Sequence, residues 1–560
     1  MQKATLLTLA LSVSALFASA QSLKTFTAGK VYSIKNVNHS DYAAAMPQTS
    51  NMACSSTLNL ACLFTITPVE GSTGVYTIKP YADDTKVVYS IKVANENNTV
   101  GIKASDNADD TKWKIEDAPD ANYVTINSNT STSTESYWNH RGTNADWNLD
   151  GIGGYMKTTT TNGTTTNCTG SFWEIAEVSE TEIATAKDNF TKIYTISDDR
   201  IKDQVGYYSR ALIEEVKANI KNATDNKTAY NSATPLANLI NYPVDGKAYK
   251  MYGLFSDGTK AYLKSNENDV FIMQKQADGK YKIVSSKADE ENLIYTGQSH
   301  QAGKKVSLFD IMVRDRIKFG ALNLVTGEQF VANVCIKKDG STLNQYTSGR
   351  SNSGDWSTEW YFEEATDYAG HPVTFTSSTD GKAYATLNLP FATTIPEGVT
   401  AYKKVGDTGA SVKLNVYKNA NEVLPANTPV LLQADAAAET KTFAPAAYVA
   451  KDNTTGFSGT LAATEVTDAN AYILAKDGEA VKFCRLSQTN NKVNANKAYL
   501  TVPAASATAL NFDFGGVATG IENAVVDKAN NAPIYDLSGR RVMNAVKGGI
   551  YIQNGKKFVK

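Results

Sequence analysis

The chain has 560 residues and a formal net charge of −2, from 55 basic and 57 acidic residues. That balance argues against a nucleic-acid binder and against a polybasic membrane-docking face, and the length predicts three or four domains. Tyrosine (29), glycine (37) and abundant Thr, Asn and Ser favour strands and turns, so the predicted fold class is mainly β and multidomain.

The chain opens with Lys3, an apolar run from Ala4 to Leu16, and Ala18-Ser19-Ala20. This is the pattern of a secretory signal peptide over residues 1–20, cleaved between Ala20 and Gln21. The run is too short for a good membrane span, and no later segment holds 18 continuous apolar residues, so no span is expected in the mature chain. Cys54 and Cys62 are close enough in sequence to pair. The odd total (with Cys168, Cys335 and Cys484) leaves at least one free thiol, and burial as structural thiols is the favoured reading.

Two regions then read alike. Ala28 begins AGKVYSIKNV and Asp245 begins DGKAYKMYGL, both Gly-Lys-x-Tyr entering an alternating strand. A Gly-turn hairpin follows each, and FWEIAEV from Phe172 and EWYFEEA from Glu359 close them. Just upstream, YWNHRGTNADW (137–147) and YTSGRSNSGDW (346–356) share Tyr-x3-Arg-x4-Asp-Trp without a gap. Regions 25–178 and 245–366 are therefore read as duplicated domains. Inside the first, LFTITPV, WKIEDA and FWEIAEV recur every 50 to 60 residues or so, which suggests pseudo-threefold order. Both regions resemble ricin-type β-trefoil lectin domains at the level of pattern, which implies that fold. The Gln-x-Trp signature of that family is absent (Phe172 precedes Trp173, Glu359 precedes Trp360), so its sugar ligands are not carried over.

Between the copies, residues 179–241 are predicted to form a helical connector. Ser179-x-x-Glu182 is a capping box, and DDRIKDQVGYYSRALIEEVKANIKNA from Asp198 carries Val205, Tyr208, Leu212, Val216 and Ile220 at helical spacing. From 370 to 515, short strands alternate with Pro, Asn and Gly turns, as in a β-sandwich. This part resembles an accessory β domain found near the C-termini of exported proteins of Gram-negative bacteria.

The end of the chain, IYDLSGRRV followed by KGGIYIQNGKKFVK, reads as a compact sandwich-like unit with an Asn554-Gly555 hairpin. Residues 520–560 resemble the C-terminal sorting domain of the type IX (Por) secretion system. The match rests on Tyr535, Asp536, Gly539, Arg540, Val542, Lys547, Gly548, Gly549, Ile550, Tyr551, Ile552, Gly555, Lys556 and Lys557, with one extra glycine before Ile550. The resemblance implies export across both membranes, to the cell surface or beyond, with the outer-membrane type IX machinery as a partner.

Catalytic patterns are missing. The four histidines form no H-E-x-x-H, no G-x-S-x-G elbow occurs, and the acids of SDNADDTKW lack calcium-ligand spacing. No cofactor and no metal site is expected, and no catalytic residue is assigned. The best ligand candidates are Tyr137, Trp138, Arg141, Asp146 and Trp147, with Tyr346, Arg350, Asp355 and Trp356 in the second copy. Aromatic rings stack on sugar faces, while carboxylate and guanidinium groups hold the hydroxyl rim. The competing reading is packing, with Trp147 and Trp356 filling the trefoil and Arg pairing with Asp. Trp138, replaced by Thr347 in the second copy, is expected to be the more exposed tryptophan. The leading functional reading is a surface or secreted binding protein for a glycan or a host or surface polymer. A structural or adhesive protein comes next, then a glycan-active hydrolase with an unrecognised site.

Overall fold

A computed structural model describes residues 24–91, 99–130, 135–288, 308–326, 333–341, 343–346, 355–435, 439–487, 489–503, 507–515, 534–537, 540–542, 546–553 and 556–560. The expected signal peptide with Ala20 and Gln21, and also Arg350, Gly539 and Gly555, lie outside them.

The first unit comprises β1 (Tyr32–Asn36), β2 (Tyr42–Ala44), β3 (Ala53–Ser55), β4 (Leu63–Pro68), β5 (Val75–Pro80), β6 (Lys86–Ile91), β7 (Thr99–Ala104), β8 (Lys112–Asp117), β9 (Val124–Ser128), β10 (Tyr137–Asn144), β11 (Leu149–Tyr155), β12 (Thr158–Thr161), β13 (Thr164–Asn167) and β14 (Trp173–Glu177). Strands β1, β4, β5, β8, β9 and β14 pair in that order, and β14 returns to β1, closing a six-stranded barrel. Hairpins β2–β3, β6–β7 and β10–β11 interrupt it once per third and meet over one end through β11. This is β-trefoil topology, and β12–β13 is an added threonine hairpin.

Period-2 alternation fills the barrel. Tyr32 and Ile34, Phe64 and Ile66, Tyr76 and Ile78, Trp113 and Ile115, Val124 and Ile126, and Trp173 and Ile175 all point into one core. Each such side chain contributes about 1.5–3 kcal/mol of apolar burial.

The second unit repeats the plan with β15 (Ala248–Leu254), β16 (Lys260–Tyr262), β17 (Phe271–Lys275), β18 (Tyr281–Ser285), β19 (Phe309–Met312), β20 (Ala321–Thr326), β21 (Asn333–Lys337), β22 (Leu343–Tyr346), β23 (Trp356–Ser357) and β24 (Trp360–Glu364). Strands β15, β17, β18, β19, β20 and β24 close the second ring. The registers coincide: Tyr32 faces Glu177 and Tyr249 faces Glu364, while Asn36 faces Trp173 and Gly253 faces Trp360.

This shared register explains the Gly-Lys-x-Tyr motif. Tyr32 Oη accepts from Thr27 N at 2.8 Å, and Tyr249 Oη from Val244 N at 3.0 Å. Lys30 reaches Glu177 at 2.6 Å, and Lys247 reaches Glu364 at 2.5 Å. It also explains the recurring closing tryptophans. Trp113, Trp173 and Trp360 donate Nε1–H to the carbonyls of Val88, Trp138 and Val334 at 3.0, 2.9 and 2.8 Å. Each bond ties a barrel strand to a strand of its own cap.

The connector holds α1 (Glu180–Phe190), α2 (Arg210–Asn222) and α3 (Asn226–Ser232). The Ser179–Glu182 capping box forms as expected. The long helix predicted from Asp198 begins only at Arg210. Gly206 has φ +83°, and Tyr208 bridges to Ile201 and Ile240, so that stretch is extended. The buried stripe is Ile213, Val216 and Ile220, while Leu212 is exposed.

From Thr376, a ten-stranded sheet folds back on itself as a sandwich. Lys382–Leu387, Val399–Asp407, Ser411–Lys418 and Val430–Asp435 lie in one half; Ala471–Asp477, Ala480–Arg485, Ala498–Thr501 and Ala509–Asp513 lie in the other. Tyr384, Val412, Leu414 and Leu431 pack against Tyr472, Phe483, Leu500 and Leu510 between the halves. The second trefoil docks on this unit through the fully buried Gln274, which donates to Ala446 O at 2.9 Å and accepts from Ala392 N at 2.8 Å. Gly246 (φ +77°) sits where a Cβ would lie 2.4 Å from the Ala446 carbonyl carbon.

Cys54 and Cys62, close enough in sequence to pair, form no disulfide, in line with the favoured reading of buried structural thiols. Both thiols are free and buried, and burial pushes the Cys62 thiol up to about 12. At the C-terminus the described residues form one four-stranded sheet, ordered Arg541–Val542, Ile534–Tyr535, Ile550–Gln553, Lys556–Val559. A second layer is not seen among them. Gln553 pairs with Lys556, and the predicted Asn554-Gly555 turn between them lies outside the described residues.

Replacing Trp173 or Trp360 with Phe removes the indole donor and strands a buried cap carbonyl. Each change is expected to cost about 1–3 kcal/mol in denaturant unfolding. A loss below about 0.5 kcal/mol would contradict the tie between barrel and cap.

Candidate ligand-binding site

The matched Tyr-x3-Arg-x4-Asp-Trp segments do not occupy matching places. Tyr137 lies on β10 and pairs with Tyr155, whereas Tyr346 lies on β22 and pairs with Asn333. The Trp138 carbonyl in the first copy corresponds to the Val334 carbonyl in the second, since each accepts the closing indole. Tyr346 thus corresponds to Tyr155, one hairpin strand further along than Tyr137.

Trp138 is fully buried, not exposed, and sits edge-on to Trp113 (5.2 Å) and Trp173 (6.2 Å) in the barrel core. Trp147 is also fully buried, against the connector, with Tyr194 at 6.3 Å. Neither indole can stack on a ligand, which corrects the expectation for both. Tyr137 and Arg141 are half-buried on the hairpin, with Lys157 Nζ 5.2 Å from the Tyr137 ring centre and the Arg141 guanidinium 4.7 Å from that of Tyr155. Asp146 has an accessible side chain, yet the surrounding protein raises its carboxyl above the ordinary value. Its carbonyl accepts from Ala237 N of the connector at 2.9 Å. Asp355 is exposed and Trp356 half-buried beside β21.

The residues that do converge lie elsewhere. A cleft of about 650 Å³ opens between the connector and the second barrel, within the 300–1,000 Å³ range of ligand pockets. Its floor is the cross-strand pair Tyr252 (β15) and Tyr361 (β24), whose rings stack 5.4 Å apart at 8°. The wall is Tyr207, placed by Gly320 (φ +79°), where a Cβ would come within 3.1 Å of the Tyr207 ring. Tyr242, Asn241, Asp203, Glu363 and Glu364 are among the other residues that line it.

Burial, with Glu359 and the neighbouring Tyr252 and Tyr207, pushes the Tyr361 phenol up to about 12, and burial does the same for Tyr242. Both therefore remain O–H groups at any physiological pH. Lys260 Nζ lies 4.4 Å from the Tyr252 ring centre and 3.9 Å from Glu363. The cleft thus combines aromatic rings with phenol, amide and carboxylate groups.

The first copy lacks this surface. At the positions registered with Tyr252 and Tyr361 it carries Lys35 and Glu174. The alternating pattern of the sequence puts both tyrosines on strands, but no local pattern reports that they meet under the connector. A second cluster, Asp41, His140 and Asp150, gathers donor atoms within 4.8 Å of one another in the first trefoil. Its members are far apart in the chain and match no spacing motif.

No family model matches the chain, and no curated protein matches it. Solved structures similar to one trefoil-sized part include the β-trefoil BEL in an apo crystal form (18% identity, 28% of this chain and 99% of that one, TM-score 0.22). A ricin B-like lectin of Macrolepiota procera in complex with lactose covers 28% of this chain and 99% of its own, at 11% identity and TM-score 0.21. The designed threefold-symmetric protein ThreeFoil is similar at 11% identity and TM-score 0.21, over 26% of this chain and 99% of its own. At such values the fold assignment rests on the strand pairings described above.

Trp147→Ala should destabilise the protein by about 3–5 kcal/mol, as for other large aromatic truncations in a core. Trp147→Phe should cost much less, because among the described residues the Trp147 Nε1 donor has no partner to lose. Thermal and denaturant unfolding of the two variants check this; equal costs would contradict it.

Proposed function

We propose that this is an exported carbohydrate-binding protein whose ligand site is the tyrosine-lined cleft of the second trefoil. The observation that carries the reading is the stacked Tyr252–Tyr361 pair facing Tyr207 beside carboxylate and amide groups. A pyranose presents an apolar face to such rings and hydroxyls to such a rim. The rim carries Asp203, Glu363 and Glu364, with Lys247 and Lys260 near the two glutamates. That balance favours neutral saccharides over uronic or sialic acids.

Export rests on the sequence: the signal peptide at 1–20 and the resemblance of 520–560 to a type IX sorting domain. In the tail, Asp536 accepts from Arg540 N at 2.9 Å and pairs with Arg540 Nε at 3.1 Å. Lys547, Lys556 and Lys557 are exposed, and Gly549 lies where a Cβ would meet the Tyr551 hydroxyl at 2.5 Å. These features suit an accessible recognition strand with a constrained entry turn.

Screening the full chain on a broad glycan array, then titrating the hits, tests the binding reading. Tyr361→Ala and Tyr252→Ala should weaken a hit at least tenfold while the far-ultraviolet spectrum is unchanged. No hit, or hits indifferent to both substitutions, would favour a structural or adhesive role instead. Deleting residues 520–560 should leave the protein in the periplasm of its host; undiminished surface delivery would refute the sorting reading.

A further inference from the structure

We infer that Asp41, His140 and Asp150 form a divalent-cation site at the cap of the first trefoil. Asp41 sits in the turn between β1 and β2, His140 on β10 and Asp150 on β11. His140 Nε2 lies 3.0 Å from Asp41 Oδ2 and 3.9 Å from Asp150 Oδ2, and the three donor atoms fall within 4.8 Å of one another. Metal–ligand bonds of roughly 2.0–2.2 Å place donors about 3–3.5 Å apart, so small side-chain movements bring the set onto one ion.

The backbone is shaped for this meeting. His140 pairs with Ile152, but Thr143 pairs with Asp150, so β10 carries an extra residue at Arg141-Gly142, with Gly142 at φ +83°. A bulge of this kind bends the strand and re-aims its side chains. The imidazole is 4% exposed and pinned by the His39 ring stacked on it at 3.9 Å and 12°. Asp41 and Asp150 are 22% and 45% exposed, so solvent reaches both carboxylates.

The oxygens of Asp150 are divided. Oδ1 pairs with Arg316 of the second trefoil, and Oδ2 faces His140. The guanidinium therefore orients the carboxylate without taking the oxygen the ion needs, as outer partners of metal ligands do. Two carboxylates and one imidazole suit Zn²⁺ or Mn²⁺ better than Ca²⁺, which prefers oxygen alone. Loading requires the Nε2 lone pair, so the neutral ring must carry its proton on Nδ1.

The test is calorimetric titration of the chelator-treated full chain with ZnCl₂ and MnCl₂ separately, with CaCl₂ as comparison, alongside thermal unfolding. One ion should bind per chain at micromolar concentration and raise the melting temperature. Asp41→Asn and Asp150→Asn should each weaken binding at least tenfold. No binding of Zn²⁺ or Mn²⁺ up to millimolar concentration would overturn the proposal and leave the Asp41–His140 contact as a structural hydrogen bond. Binding unchanged in Asp41→Asn would overturn it equally, by placing the ion elsewhere. His140→Gln should abolish binding; if that buried substitution fails to fold, the more exposed Asp41→Asn carries the decision.

Discussion

The connector's apolar contact with both trefoils is the constraint from which the site follows. Ile213, Val216, Ile220, Phe190, Tyr194 and Tyr230 share one continuous core with Leu60, Cys62, Leu63 and Trp147 of the first trefoil and with Tyr249, Met251, Trp360 and Phe362 of the second. Helices this short are marginal in isolation; burial against two barrels holds them. Polar ties fix the pose: Gln48 donates to Ala233 O, Asn189 to Leu58 O, and Gly320 N to Gly206 O. The last of these brings Tyr207 over Gly320 and so builds one wall of the cleft.

Much of the fold was legible because it repeats. Gly-Lys-x-Tyr marked the first barrel strand of each copy, and the aromatic closing strands marked the last. The capping box at Ser179 was legible because its chemistry is local. The gapless Tyr-x3-Arg-x4-Asp-Trp match misled, since four identities in strands and turns of similar composition do not fix which strand they lie on. The burial of Trp138 was also hidden. Its side chain completes a tryptophan cluster whose other members, Trp113 and Trp173, come from other strands. The long helix from Asp198 failed at Gly206, where a positive φ outweighed a favourable periodicity. The cleft and the Asp41–His140–Asp150 cluster depend on pairings across about a hundred residues, which no local pattern reports.

The two trefoils keep their closures and differ in what they place outside them. At one cross-strand position, Lys35 and Glu174 stand where Tyr252 and Tyr361 stand in the second copy. On the inward side, Tyr32, Ile34, Trp173 and Ile175 are matched by Tyr249, Met251, Trp360 and Phe362, all apolar or aromatic. A barrel needs its interior and its indole ties, so the outward positions are where two copies can diverge in chemistry at little cost to stability.

Barrel closure joins the first strand of each trefoil to its last, Tyr32 opposite Glu177 and Tyr249 opposite Glu364. Contacts so distant along the chain must pay loop-closure entropy before they return any stability, which slows folding. A growing chain therefore cannot seal the first barrel until Trp173–Glu177 has emerged, nor the second until Trp360–Glu364 has. Until then the inward faces of the strands stay open to water and to one another. The assembly order of the molecule is thus written into which strand comes last, and each trefoil is committed to its shape only at the end of its own synthesis.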